Sequence, residues 1–176
     1  MTEQIIIAGF GGQGVMSMGQ LLAYAGMLEG KNVSWLPSYG PEMRGGTANC
    51  CIIISDEQVG SPIVNDPTAL IAMNTPSLDK FEKIVRPGGV IIVDSSLVGR
   101  QVNREDVVTY AIPATELASE AGNATFANIF LLGKLIAHTN IIKPESFELS
   151  LKHGLREKYH HLIPEEMKVL RRGMEY

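Results

Sequence analysis

Short uninterrupted apolar runs alternate along this chain with stretches in which apolar residues recur at helical spacing. Ile5 to Ala8 is such a run and ends in glycines, which predicts a strand buried on both faces that enters a tight turn. From Val15 to Leu28, the residues Val15, Met18, Leu22, Ala25 and Met27 or Leu28 recur as one helix face, and Gly30 is a stop. Asn32 to Leu36 predicts a second strand before Pro37, and Ala48 to Ser55 a third. The polar, Gly-rich stretch Ser38 to Thr47 between them is too long for a simple turn. Ala69 to Met73 predicts a short strand, followed by Thr75 as helix cap and Pro76 at the first helical position, where its missing N–H costs nothing. That helix is expected to end near Arg86. Pro87-Gly88-Gly89 turns the chain into a strand at Val90 to Val93, with Asp94-Ser95-Ser96 at its carboxyl end. Val107 to Ala111 predicts a last parallel strand. Ala114 to Ala121, Phe126 to Ala137 and the segments after Pro144 and Pro164 are predicted helices.

This order predicts an α/β fold: a single Rossmann-like domain over residues 1–176, with a mainly parallel sheet, helices on both faces and a helical C-terminal third. No repeat, low-complexity segment or linker interrupts it. In such sheets ligands and partners engage the carboxyl ends of the strands, where the Gly-rich turn after Ala8, the Ser38 to Thr47 loop and Asp94 are expected to gather.

Composition narrows the partners. With 45% hydrophobic and 19% charged residues, the 176-residue chain suits one packed domain whose surface a partner could cover in part. A net charge of −4 offers no general attraction for nucleic acid or an anionic membrane, so neither partner is expected. The N-terminus lacks the basic start and long apolar core of an export signal. Phe126 to Ala137 is broken by Asn128, Gly133 and Lys134 and falls short of the ~20 residues that span a bilayer, which predicts a buried helix. The 2 cysteines, Cys50 and Cys51, are adjacent in a predicted strand and point to opposite faces, so a mutual disulfide would be strained. A reducing cytoplasm is the expected location.

Gly9-Phe10-Gly11-Gly12-Gln13-Gly14 satisfies G-x-G-x-x-G in its proper setting, after a strand and opening a helix. Glycines let the backbone approach a phosphate, and exposed N–H groups at the helix start favour negative charge. A dinucleotide site also expects an acid near the end of the second strand to hold the ribose, and Trp35-Leu36-Pro37-Ser38 supplies none. The glycines could equally serve close packing of helix on strand, or receive a group from a partner. The G-K-[ST] ending of a triphosphate loop is absent, so phosphoryl transfer is not expected.

The second candidate is the loop Ser38-Tyr39-Gly40-Pro41-Glu42-Met43-Arg44-Gly45-Gly46-Thr47. Arg44 can hold a carboxylate or phosphate through two parallel hydrogen bonds, and Gly45 and Gly46 allow close backbone approach. The alternative is that Arg44 and Glu42 simply pair in solvent, which is worth little.

Gly11-Gly12-Gln13-Gly14, the run Ser38 to Gly46, and the later Gly122-Asn123, Asn128 and Gly133 together resemble the gamma subunit of 2-oxoacid:ferredoxin oxidoreductases, over nearly the whole chain. The spelling of the second loop looks more like the 2-oxoglutarate branch than the pyruvate branch. The resemblance implies oxidative decarboxylation of a 2-oxoacid with coenzyme A, giving an acyl-CoA, carbon dioxide and reduced ferredoxin. It also implies thiamine diphosphate, Mg and iron–sulfur clusters in the complex. This chain has no G-D-G opening of a thiamine motif and no spaced cysteine set for a cluster, so those cofactors are expected in thiamine-binding and ferredoxin-like partner subunits. Gly11, Gly12, Gln13, Gly14, Ser38, Tyr39, Gly40, Pro41, Glu42, Arg44, Gly45 and Gly46 are then expected to contact a partner or coenzyme A, and no residue is expected to make or break bonds. The alternatives are a stand-alone dinucleotide-binding protein and a ligand-free adaptor.

Other candidates point to structure. Ser77-x-x-Lys80 spells an acyl-enzyme motif without its companion motifs. His160 and His161 are adjacent and diverge, and His138 and His153 lack ligand spacing, so surface or capping roles are expected and no metal site is predicted. Asn128 is expected to be a buried polar residue bonded to a neighbouring backbone group. The stripe Met167, Leu170 and Met174 is expected to pack on its own domain.

Overall fold

The apolar runs pair into one sheet. The computed structural model describes residues 1–38 and 47–176. Its strands are β1 (Thr2–Phe10), β2 (Asn32–Ser38), β3 (Thr47–Ser55), β4 (Ala69–Ala72), β5 (Val90–Asp94) and β6 (Val108–Ile112), in the order β2-β3-β1-β4-β5-β6. β1 pairs in parallel with β4, β4 with β5 and β5 with β6, whereas β3 pairs antiparallel with both β1 and β2. β3 alone therefore runs against the others, and the sheet is mainly parallel as expected. β1 is longer than its apolar run because β3 pairs with it along its whole length, from Thr2 opposite Ser55 to Phe10 opposite Thr47.

Helix α1 (Val15–Leu28) follows β1, α2 (Thr75–Phe81) follows β4, and α3 (Ala114–Glu120) follows β6. The C-terminal third is helical as predicted, with α4 (Ala127–Thr139), α5 (Pro144–Gly154) and α6 (Ile163–Glu175). One local expectation is corrected. Asn74, not Thr75, caps α2: its side chain accepts the Ser77 N–H at 2.9 Å, while the Thr75 hydroxyl accepts the Gly99 N–H at 2.9 Å. An amide one residue earlier reaches the same backbone donors, which leaves the hydroxyl for the neighbouring loop.

Alternation along the strands divides the core in two. Ile5, Ile7, Ile52 and Ile92 face a layer built from α1, α3, α4, α5 and α6, in which Phe130, Phe147 and Leu151 are buried. Ile6, Ala8, Leu70 and Ile91 face α2, with Val64 and Val98 from the connecting loops. Helices cover both faces, but unequally. The predicted stripe of α6 packs inward: Met167 and Leu170 are buried, and Met174 lies against the same core.

Two glycines set the α4–α6 distance. A methyl group on Gly133 would strike the Leu170 carbonyl, and one on Gly173 would strike the Phe130 carbonyl, so the helix backbones touch reciprocally. On the thinner face, buried Glu82 anchors the loop between β5 and β6. It takes hydrogen bonds from Arg100 Nη2 (2.7 Å) and the Asn103 N–H, and its own carbonyl accepts from Arg104 Nη1 (2.9 Å). Burial pushes the Glu82 carboxyl up, but the Arg100 and Asn103 hydrogen bonds and the Arg100 charge outweigh it and hold the group below its ordinary value.

Candidate functional site

At the end of β1, α1 leaves over one face of the sheet and, at the end of the neighbouring β4, α2 leaves over the other. The carboxyl ends of β1 and β4 therefore flank a crevice at the switch point of the fold, and the Gly-rich turn lies in it. Gly12 and Gly14 have φ of 88° and 75°, a left-handed backbone that residues with a Cβ rarely adopt. Gly14 is the N-cap of α1 and supplies no side-chain cap, and the first turn of α1 carries no acid, so among the described residues its N–H groups are uncommitted to side chains.

Gln13 folds back over the turn. Its Oε1 accepts the Phe10 N–H at 2.6 Å, its backbone N–H donates to Phe10 O at 3.2 Å, and its Nε2 reaches Met73 O at 3.5 Å. Across the turn, a Cβ on Gly14 would lie 2.5 Å from Asn128 Nδ2. Asn128 is half-buried, and among the described residues no hydrogen bond holds its side chain, which corrects the expectation of a buried amide tied to a backbone group. It faces a cleft of about 350 Å³ between the turn, Met73, Leu97, Thr115 and Thr125.

Asp94 sits at the same edge but turns inward. It is fully buried, accepting from Thr115 Oγ1 (2.5 Å), the Ser96 N–H (3.1 Å) and the Thr115 N–H (3.3 Å). It fixes the start of α3 and the bend carrying Leu97, and so shapes the cleft from behind.

The structure thus brings Gly11, Gly12, Gln13 and Gly14 together at the crevice. Ser38 is exposed at the end of β2, opposite Asn49. Tyr39, Gly40, Pro41, Glu42, Arg44, Gly45 and Gly46 lie outside the described residues. Sequence reasoning missed Leu97, Thr115 and Thr125, whose only signal is their position just beyond strand ends or at helix starts.

The other candidates separate. Ser77 is buried in the first turn of α2, while Lys80 is exposed over the Phe81 ring at 5.3 Å. His160 Nε2 is bonded to Leu155 O at 2.9 Å, His138 Nδ1 meets the Tyr110 hydroxyl at 3.1 Å, and the His153 ring lies edge-on to Tyr24. Among the described residues, no helix is long and apolar enough to cross a membrane.

Residues 4–176 match the family described as pyruvate ferredoxin/flavodoxin oxidoreductase. The chain belongs to this family. It is 39% identical over 165 residues to the 2-oxoglutarate synthase subunit KorC of Methanocaldococcus jannaschii, covering 90% of this chain and 88% of that relative. It is also 41% identical over 174 residues to the ketoisovalerate oxidoreductase subunit VorA of Methanothermobacter marburgensis, where the match covers 98% of this chain but only 36% of the relative's length. The chain therefore spans about a third of that longer protein. Among solved structures it resembles the keto/oxoacid ferredoxin oxidoreductase gamma subunit of Geobacter sulfurreducens, with a TM-score of 0.82 and 30% identity over 98% of this chain and 96% of that one.

In this member of the pyruvate ferredoxin/flavodoxin oxidoreductase family, sheet order gives a second reason against a stand-alone dinucleotide site. The ribose-holding acid of such a site stands at the end of a strand beside the first. Here antiparallel β3 intervenes between β1 and β2, so the end of β2 is displaced by a strand and carries no acid.

Proposed function

We propose that this chain is the gamma-type subunit of a complex that oxidatively decarboxylates a 2-oxoacid with coenzyme A, yielding an acyl-CoA, carbon dioxide and reduced ferredoxin. The observation that carries the reading is the match to KorC, which runs over nearly the full length of both chains. The same relative favours 2-oxoglutarate as the 2-oxoacid, in line with the spelling of the Ser38 to Gly46 loop. In this reading thiamine diphosphate, Mg and iron–sulfur clusters reside in thiamine-binding and ferredoxin-like partner subunits, and the isolated chain is inactive.

The chain's contribution is a contact surface. The crevice at Gly11 to Gly14 receives an anionic group of coenzyme A, because the start of α1 offers N–H donors and its first turn carries no acid. Support for a joint role of the second loop comes from its ends: Ser38 closes β2, and Thr47 opens β3 directly opposite Phe10, on the edge that holds the crevice. Arg44 is the cation of that loop and pairs with a phosphate or carboxylate.

The test is coenzyme A-dependent viologen reduction by the assembled complex, with pyruvate, 2-oxoglutarate and 3-methyl-2-oxobutanoate as alternative substrates. A clear preference for 2-oxoglutarate is expected, and preference for either other acid would overturn the branch assignment. Arg44→Ala is expected to raise the KM for coenzyme A by roughly tenfold or more, the loss of a charge-assisted pair, with the assembly intact. Unchanged kinetics would refute a role for Arg44.

A further inference from the structure

We propose that Gln13 is a positioning residue, a built-in occupant of the crevice floor that holds the Gly-rich turn in shape, so that coenzyme A is received outside it against Gly12, Gly14 and Asn128. The inference rests on the reading of the turn as a coenzyme A contact and assigns Gln13 a role different from its neighbours.

Four observations carry it. The Phe10 N–H ends β1 and would be a free donor in an open anion-binding turn, yet Gln13 Oε1 takes it at 2.6 Å. The Gln13 backbone N–H returns a bond to Phe10 O at 3.2 Å, which closes a ring from main chain and side chain together. Beneath the side chain lies Gly9, where a Cβ would stand 2.6 Å from Gln13 Oε1 and 3.2 Å from Met73 Cβ, so the absence of a side chain there makes room for the amide. At the far side, Gln13 Nε2 reaches Met73 O and Asn74 Nδ2 reaches Gln13 Oε1, each at 3.5 Å, while Asn74 Oδ1 is already engaged as the cap of α2.

One neutral amide therefore bridges the ends of β1 and β4 and the start of α2. The amide oxygen takes a place that an anion's oxygen would otherwise fill, and the donors left for a ligand are those beyond it, at Gly14 and the opening of α1. Neutrality matters: a carboxylate at this point would still accept from Phe10 but would oppose the Met73 carbonyl and repel an anion in the cleft.

The test is steady-state kinetics of the assembled complex with coenzyme A and the 2-oxoacid varied separately. Gln13→Ala is expected to raise the KM for coenzyme A about tenfold, the worth of one or two neutral hydrogen bonds, with kcat and the KM for the 2-oxoacid within about twofold of the parent. Gln13→Glu should raise it further, and the excess should shrink as ionic strength rises. Gln13→Met, which fills the groove without bonding Phe10, guards against a collapse caused by the cavity alone and should behave like Gln13→Ala. A parent-like KM for coenzyme A in assembled Gln13→Ala or Gln13→Met, or a fall in kcat with no change in that KM, would overturn the proposal. Gly14→Ala in the same assay separates the two levels. If it also leaves the coenzyme A KM unchanged, the coenzyme A reading of the turn fails; if only the Gln13 variants are silent, the positioning role alone fails.

Discussion

Cys50 and Cys51 are neighbours on β3 with opposite surroundings. Cys50 lies in the layer beneath α1, where burial pushes its thiol up to about 12 against a smaller opposing pull from the Trp35 indole. Cys51 is half-buried on the other face, and burial raises it as well. The opposite orientation was legible from strand alternation alone; the depth of Cys50 comes from α1, whose Val15 carbonyl lies 3.6 Å from its Sγ. With a thiol reagent at pH 8, the native chain is expected to release at most one equivalent slowly, from Cys51, and denaturant should expose both. Slow modification of the Cys51 thiol in Cys50→Ser is expected, whereas modification of the Cys50 thiol in native Cys51→Ser at a comparable or faster rate would contradict it. Glu166 on α6 had no such signal in the sequence. It is buried, and burial pushes its carboxyl up to about 7. The folded chain thus holds that proton more tightly than the unfolded chain does, so stability is greater below the ordinary carboxylate value and falls as pH rises from ~4.5 towards about 7. Glu166→Gln should raise the Tm at pH 8 by about 2–4 °C and leave it nearly unchanged at pH 4.5. An equal shift at both pH values would show that the effect is not titration.

At the scale of elements, the strands and helices were largely readable: the central runs of β1, β4 and β5 are buried whole, while the edge strands β2 and β6 stay partly exposed. What the pattern does not encode is pairing. The run Ala48 to Ser55 is as apolar as its parallel neighbours, so nothing local marks β3 as the reversed strand; its direction follows from the partners on either side. The cap of α2 was misplaced by one residue because Asn74 and Thr75 are both acceptable capping residues, and only the position of Gly99 decides between them. The tight backbone contact between α4 and α6 was equally hidden: Gly133 reads as a break in a helix until Gly173 is seen across from it. Gly133→Ala must push the Leu170 carbonyl away and is expected to cost about 1–3 kcal/mol, read as a lower midpoint in urea at unchanged slope. A variant as stable as the parent would mean that these backbones do not meet as described.

At the scale of the whole molecule, α1 and the C-terminal helices crowd one face of the sheet, and the other is left to α2 and connecting loops. The crevice at the switch point was foreseeable from the Gly-rich turn after the first strand. Its far wall was not, since Leu97, Thr115, Thr125 and Asn128 come together only when the later segments fold back over the carboxyl edge. The family match makes the chain part of an oxidoreductase family, and in the proposed division of labour it supplies a contact surface while partner subunits carry thiamine diphosphate and the clusters. The most direct test of that division of labour is anaerobic purification of the chain through an affinity tag from its own host, with thiamine diphosphate and iron measured in the eluate before and after the partners are stripped off. The account predicts both in proportion to co-purifying partner chains and neither on the stripped chain. A chain that emerges alone, or that keeps iron or thiamine diphosphate by itself, would contradict it.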